Sequence, residues 1–215
     1  MVHNLGNSNS ILNNFISEIR DKEVQKDSMR FRRNMERVGE IMAYEISKTL
    51  TFDDKKVTTP LGTCDSKVLK QYPVLSTILR AGLPFHQGFL NYFDQSECSF
   101  VSAWRKHHNS EEFDIVVEYK SSPNLEHSDL ILCDPMLATG SSMLSVYEAL
   151  LQNGKPRSLN IAAVIASQDA LEHLKAQLPD HATIWVAAID EELTAQSYIV
   201  PGLGDAGDLA YGEKL

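Results

Sequence analysis

Leu130-Ile131-Leu132-Cys133-Asp134-Pro135-Met136-Leu137-Ala138-Thr139-Gly140-Ser141-Ser142 is an apolar run that ends in an acid, passes a proline and a small, hydroxyl-rich turn, and enters a helical stretch at residues 143–152. A short continuous apolar run bounded by a turn reads as a buried strand, and a strand feeding a helix through a tight turn is the unit of an α/β protein. Outward from this unit the same rhythm recurs. Strands are expected at 74–79, 99–104, 115–119, 159–166 and 183–188, and helices opening at Pro84 and spanning 170–178. Strands separated by helical crossovers imply a mainly parallel sheet flanked by helices, whose ligands bind beyond the carboxyl ends of the strands.

Toward the N-terminus, Ile11, Leu12, Phe15, Ile16 and Ile19 recur at helical spacing, as do Phe31, Met35, Val38, Ile41, Met42 and Ile46, with Ser28 as the expected cap of the second helix. Its apolar face would serve equally as core or as a contact between copies. Residues 58–62, with Pro60, read as a turn. No linker or change of composition divides the chain. The expectation is a single domain over 1–215, with N-terminal helices over 1–56, a flexible arm over 104–119 and a C-terminal recognition segment over 190–215.

The composition is 43% hydrophobic and 23% charged over 215 residues, enough for one sizeable core. A formal charge of -9 argues against a nucleic-acid partner, because phosphate backbones demand a basic surface. The three cysteines are scattered and lack metal-site spacing, so they read as reduced thiols. With neither a signal-like start nor a run of membrane-spanning length, the sequence points to the cytoplasm, away from membranes.

Four segments carry chemistry. In residues 134–142 the backbone N–H groups and the three hydroxyls of Thr139, Ser141 and Ser142 suit a phosphate without a lysine, and Asp134 suits two ribose hydroxyls. Thr139-Gly140-Ser141-Ser142 alone would read as a helix cap; the strand, terminal acid and proline in combination are far more specific, and match neither a P-loop nor a dinucleotide fingerprint. In Ile78-Leu79-Arg80-Ala81-Gly82-Leu83 an arginine follows a buried run and can face a diphosphate, although for the hexapeptide alone an exposed or structural ion pair is the better reading. Trp104-Arg105-Lys106-His107-His108 is a basic run in an acidic chain and reads as a flap whose Arg105 reaches the diphosphate, or as a solvated hairpin tip. Tyr198-Ile199-Val200-Pro201-Gly202-Leu203-Gly204-Asp205-Ala206-Gly207-Asp208 combines three glycines, a proline and two acids. Its turns expose backbone groups able to read the acceptor, donor, acceptor edge of uracil and to reject cytosine.

Taken in this order, with Arg20-Asp21-Lys22, Phe31-Arg32, Thr59-Pro60-Leu61 and Ala187-Ala188-Ile189-Asp190, the segments resemble the uracil phosphoribosyltransferases over nearly the whole chain. The resemblance implies a type I phosphoribosyltransferase fold and conversion of uracil and 5-phosphoribosyl-1-diphosphate (PRPP) to UMP and pyrophosphate in pyrimidine salvage. It assigns Arg80, Arg105 and Asp205 to catalysis. PRPP falls to these three with Asp134, Pro135, Met136, Leu137, Ala138, Thr139, Gly140, Ser141 and Ser142; uracil falls to Ile199, Gly204, Asp205 and Ala206. Magnesium is implied on the substrate diphosphate, with no protein ligands, and a homo-oligomer, a dimer or larger, is expected. Three positions depart from the family pattern: Ser141 replaces a second glycine, Trp104-Arg105-Lys106-His107 replaces a Tyr-Arg-Asp-Glu type arm, and Leu209 stands where arginine is usual. A purine enzyme would be expected to carry paired acids where Pro135 follows Asp134. The alternatives are a nucleotide-sensing regulator or a catalytically weakened member of the same fold.

Overall fold

The computed structural model describes residues 1–107 and 113–214; of residues 104–107 and 113–116 it describes the backbone. In chain order the elements are β1 (Val2–Asn4), α1 (Ile11–Arg20), α2 (Ser28–Ser47), β2 (Phe52–Thr59), β3 (Gly62–Leu69), β4 (Val74–Leu79), α3 (Leu83–Tyr92), β5 (Cys98–His107), β6 (Phe113–Ser121), β7 (Asp129–Cys133), β8 (Met136–Leu137), α4 (Ser141–Leu150), β9 (Ser158–Ser167), α5 (Gln168–Gln177), β10 (Ala182–Asp190), β11 (Glu192–Leu193), β12 (Ile199–Val200) and α6 (Ala206–Tyr211).

The central sheet runs β1-β10-β9-β7-β4-β5-β6, with β8 added against β9. Its pairings are parallel except that of β5 with β6, which is antiparallel. Alternation along β7 divides the interior in two. Ile131 and Cys133 join α1, α2, α3 and α6 on one face, while Leu130 and Leu132 join α4 and α5 on the other. Both faces of β7 are therefore covered, which is why its sequence is apolar without a polar alternation.

The apolar face of α2 is spent inside the molecule: Phe31, Met35, Val38, Met42 and Ile46 are all within 1% of complete burial. Gly39 and Gly88 let α2 and α3 nearly touch; a Cβ on Gly88 would lie 2.1 Å from the Glu36 carbonyl oxygen. The cap of α2 is Asp27, whose carboxylate accepts from the Arg30 amide, and Ser28 is the first helical residue rather than the cap. Two further expectations change. Residues 2–4, anticipated among N-terminal helices, are the edge strand β1, and residues 52–56 open the hairpin β2–β3. That hairpin turns at residues 60–61 and stands almost wholly in solvent, with Leu61 at its tip 100% exposed.

The chain leaves β4 for α3 on one face and β7 for α4 on the other. Neighbouring parallel strands that diverge in this way open a crevice at their carboxyl ends. Arg80 and Asp134 are the residues at those two strand ends.

Candidate active site

A cleft of about 1090 Å³ lies over this crevice. It is lined by Ile78 to Ala81 at the end of β4, by Ser102 and Ala103 of β5, by Asp134 to Gly140 with Ser142 and Met143 beyond β7, by Gln196 to Tyr198, and by Gly204 to Gly207 with Lys214.

The turn after β7 is braced from beneath. Val164 and Ile165 both donate backbone N–H to the Pro135 carbonyl at 3.0 Å, and the Ser167 hydroxyl donates to the Ala138 carbonyl at 2.5 Å while accepting from the Ala170 amide. Gly140 caps α4 with φ +78, a left-handed conformation that suits glycine, and a Cβ there would lie 2.9 Å from Leu174 Cγ. The first helical bond of α4 runs from Leu144 N–H to the Gly140 carbonyl, which leaves the N–H groups of Ser142 and Met143 without an acceptor inside the helix. Ser142 and Met143 line the cleft. The Ser141 side chain turns aside: its hydroxyl accepts from the Thr139 hydroxyl at 3.2 Å.

Asp134 is half-buried, and its carboxylate accepts no hydrogen bond from the described residues. With nothing to favour its charge, burial pushes its pKa up to about 8. An uncompensated acid at the floor of a cleft is the mark of a group waiting for a donor-rich ligand.

Across the cleft, Arg80 Nη2 donates to Asp208 Oδ1 and to the Gly212 carbonyl, both at 2.7 Å. Asp205 caps α6, its Oδ1 accepting from the amides of Gly207 and Asp208 at 2.8 and 3.0 Å. The segment leading to this cap is pinned by the N-terminal helices. Arg20 donates to both oxygens of Asp190 and to the Gly202 carbonyl, and the Gly202 amide returns to Asp190. Arg32 donates to the Ala210 carbonyl at 2.6 Å and lies over the Tyr211 ring.

The family model for uracil phosphoribosyltransferase matches residues 7–213. A protein of Porphyromonas gingivalis named uracil phosphoribosyltransferase is 58% identical over 214 residues, covering 100% of this chain and 99% of the relative. One of the same name from Pyrococcus furiosus is 38% identical over 203 residues, covering 93% and 85%. The chain belongs to the uracil phosphoribosyltransferase family. A solved structure of a protein from Aquifex aeolicus superposes with a TM-score of 0.87 at 27% identity, covering 99% of this chain and 98% of that one. The α/β fold with a mainly parallel sheet flanked by helices, expected of a type I phosphoribosyltransferase, is the fold of this family member.

Against the family expectations, Arg80, Asp134 to Gly140, Ser142, Gly204, Asp205 and Ala206 share the cleft wall. Ser141 and Ile199 do not line it; the Ile199 side chain is buried in the core at 4% exposure. Leu209, at the family's usual arginine position, packs against that core. The Arg105 side chain and residues 108–112 of the arm lie outside the described residues; the β5 backbone continues to His107, with Arg105 opposite Ile115. Tyr198, Lys214 and Asp208 escaped sequence reasoning as individual site residues. Tyr198 and Asp208 stood inside the C-terminal segment, whereas Lys214 had no signal, being one lysine among many on a charged surface.

Proposed function

We propose that this chain is a uracil phosphoribosyltransferase, an enzyme that transfers the phosphoribosyl group of PRPP to N1 of uracil, giving UMP and pyrophosphate in pyrimidine salvage. The observation that carries this reading is the meeting, in one cleft, of a guanidinium, a cup of free amides with an unpartnered acid, and a glycine-rich segment with exposed backbone groups.

In this reading the amides of the turn after β7 hold the 5-phosphate, and Asp134 accepts from the ribose hydroxyls. Backbone groups of Gly204, Asp205 and Ala206 read uracil, with Ile199 contributing its main chain. Arg80, joined by Arg105 and approached by Asp205, stabilises the diphosphate as charge builds on it and the anomeric carbon acquires oxocarbenium character. No covalent nucleophile takes part. Magnesium in this reading sits on the substrate, whose diphosphate offers the hard oxygens it prefers. When bound, it supplies neutralisation of the leaving group.

The reading places the enzyme in the cytoplasm, away from membranes and nucleic acids. No helix among the described residues is long and apolar enough to cross a membrane. It also includes a homo-oligomer. With the α2 face committed to the core, the exposed hairpin β2–β3 is the natural surface, since two isolated strands are marginal in water until covered.

The deciding experiment is UMP formation from uracil and magnesium PRPP beside cytosine, hypoxanthine and orotate. Turnover with uracil alone is expected. Measurable binding of UMP with turnover of none would replace the enzyme by a nucleotide sensor.

A further inference from the structure

Asp208 occupies the third helical position of α6, where an acid commonly reaches back to the amide of the cap. Here it turns outward from its own helix, and its Oδ1 meets Arg80 Nη2 at 2.7 Å. The Gly212 carbonyl, one residue past the helix, takes the same nitrogen at 2.7 Å. Both contacts therefore fall on one amino group. Nη1 has no acceptor among the described residues, and Nε is buried without a partner. Gly207 lies beside this arrangement: a Cβ there would be in ordinary contact with Nε at 3.6 Å. The guanidinium is gripped at one corner, and donors remain for a ligand in the cleft that Arg80 lines.

An arginine on a flexible stem must otherwise be ordered by its ligand at each encounter, which weakens binding. One gripped in advance presents its fork already set. We infer that Asp208 is a positioning residue for Arg80, and that it mechanically ties the diphosphate site to the base segment, because Gly204 to Ala206 run directly into the helix that carries Asp208. This rests on the phosphoribosyltransferase reading for the identity of the ligands. A carboxylate merely stabilising the first turn of α6 would act on the base segment and the fold instead.

The test is calorimetric binding of magnesium PRPP to the wild type, Asp208→Asn, Asp208→Glu, Arg80→Ala and Arg80→Ala/Asp208→Asn, with thermal melts of each and KM values for both substrates. Asp208→Asn is expected to weaken PRPP binding about tenfold while the KM for uracil and the melting temperature stay close to wild type, and Asp208→Glu is expected to recover part of the loss. In the Arg80→Ala background Asp208→Asn should have no further effect. Losses that multiply in the double variant, or a parallel rise in both KM values with a lowered melting temperature unrescued by glutamate, would overturn the assignment. Absence of UMP formation by the wild type would count against the enzyme reading alone, since the binding series still decides the role of Asp208.

Discussion

Arg20 and Asp190 lie 170 residues apart and meet as a forked ion pair, Nη1 2.8 Å from Oδ2 and Nη2 2.7 Å from Oδ1. The same guanidinium holds the Gly202 carbonyl, so one side chain fastens the end of β10 to the turn that precedes Gly204 and Asp205. Arg20→Ala would strand Asp190, which is only 7% exposed, without its counter-charge. A loss of about 3 kcal/mol in urea unfolding is expected, with the KM for uracil rising more than that for PRPP.

Asp134→Asn should divorce stability from activity. The folded protein holds this carboxyl protonated up to about pH 8, while an unfolded aspartate ionises near pH 4. Between those values the unfolded chain binds fewer protons, so the wild type loses stability as pH rises through the window. The asparagine variant escapes that loss. Its melting temperature is expected to exceed the wild type's at pH 8.5 by more than at pH 5, while PRPP turnover collapses. In the wild type, PRPP affinity should improve as pH rises toward 8, since ribose hydroxyls donate to the ionised form.

Gly140→Ala tests the brace beneath the turn after β7, to which the proposed function assigns the 5-phosphate. A side chain at φ +78 is strained, and its Cβ would press on Leu174 at 2.9 Å. A cost of about 1–3 kcal/mol is expected, together with a raised KM for PRPP and little change for uracil.

His86 sits in α3, nearly buried against Phe100, with Nε2 lacking a partner among the described residues. Burial lowers its pKa, against a smaller opposing contact with the Leu75 backbone. The unfolded chain therefore takes up the proton first as pH falls below about 6.5, and stability declines from there toward the lower folded value. His86→Leu should flatten this part of the stability profile between pH 7 and 5, measured by denaturant melts at each pH.

The central sheet was legible because β4, β7, β9 and β10 are largely buried and read as predominantly apolar runs, interrupted only by single or paired small polar residues such as Ser76-Thr77 and Asn160. The turn after β7 was legible because its strand, acid and hydroxyls are contiguous. β1 is three residues long, too short for any periodicity. β2 and β3, reading FDDKKVTT and GTCDSKVL, stand mostly in solvent and touch the core only at the β3 end through Leu69, so the alternation that betrays a half-buried strand hardly arises. Asp27 and Ser28 are both good caps, and spacing alone does not choose between them. The pairs Arg20–Asp190 and Arg80–Asp208 join residues whose separation carries no local pattern, and only the tertiary fold brings them together.

The solvent-borne hairpin also sets the chain's thiol chemistry. Cys64 on β3 is exposed; Cys98 is half-buried with its pKa raised by that burial, and Cys133 lies in the core with its own pushed up to about 12. Of the three thiols, Cys64 is the one open to a reagent in solution. A maleimide fluorophore or nitroxide would settle there in the native protein without any engineered cysteine, and a measurable distance between two such labels would report whether copies of the chain associate through this hairpin.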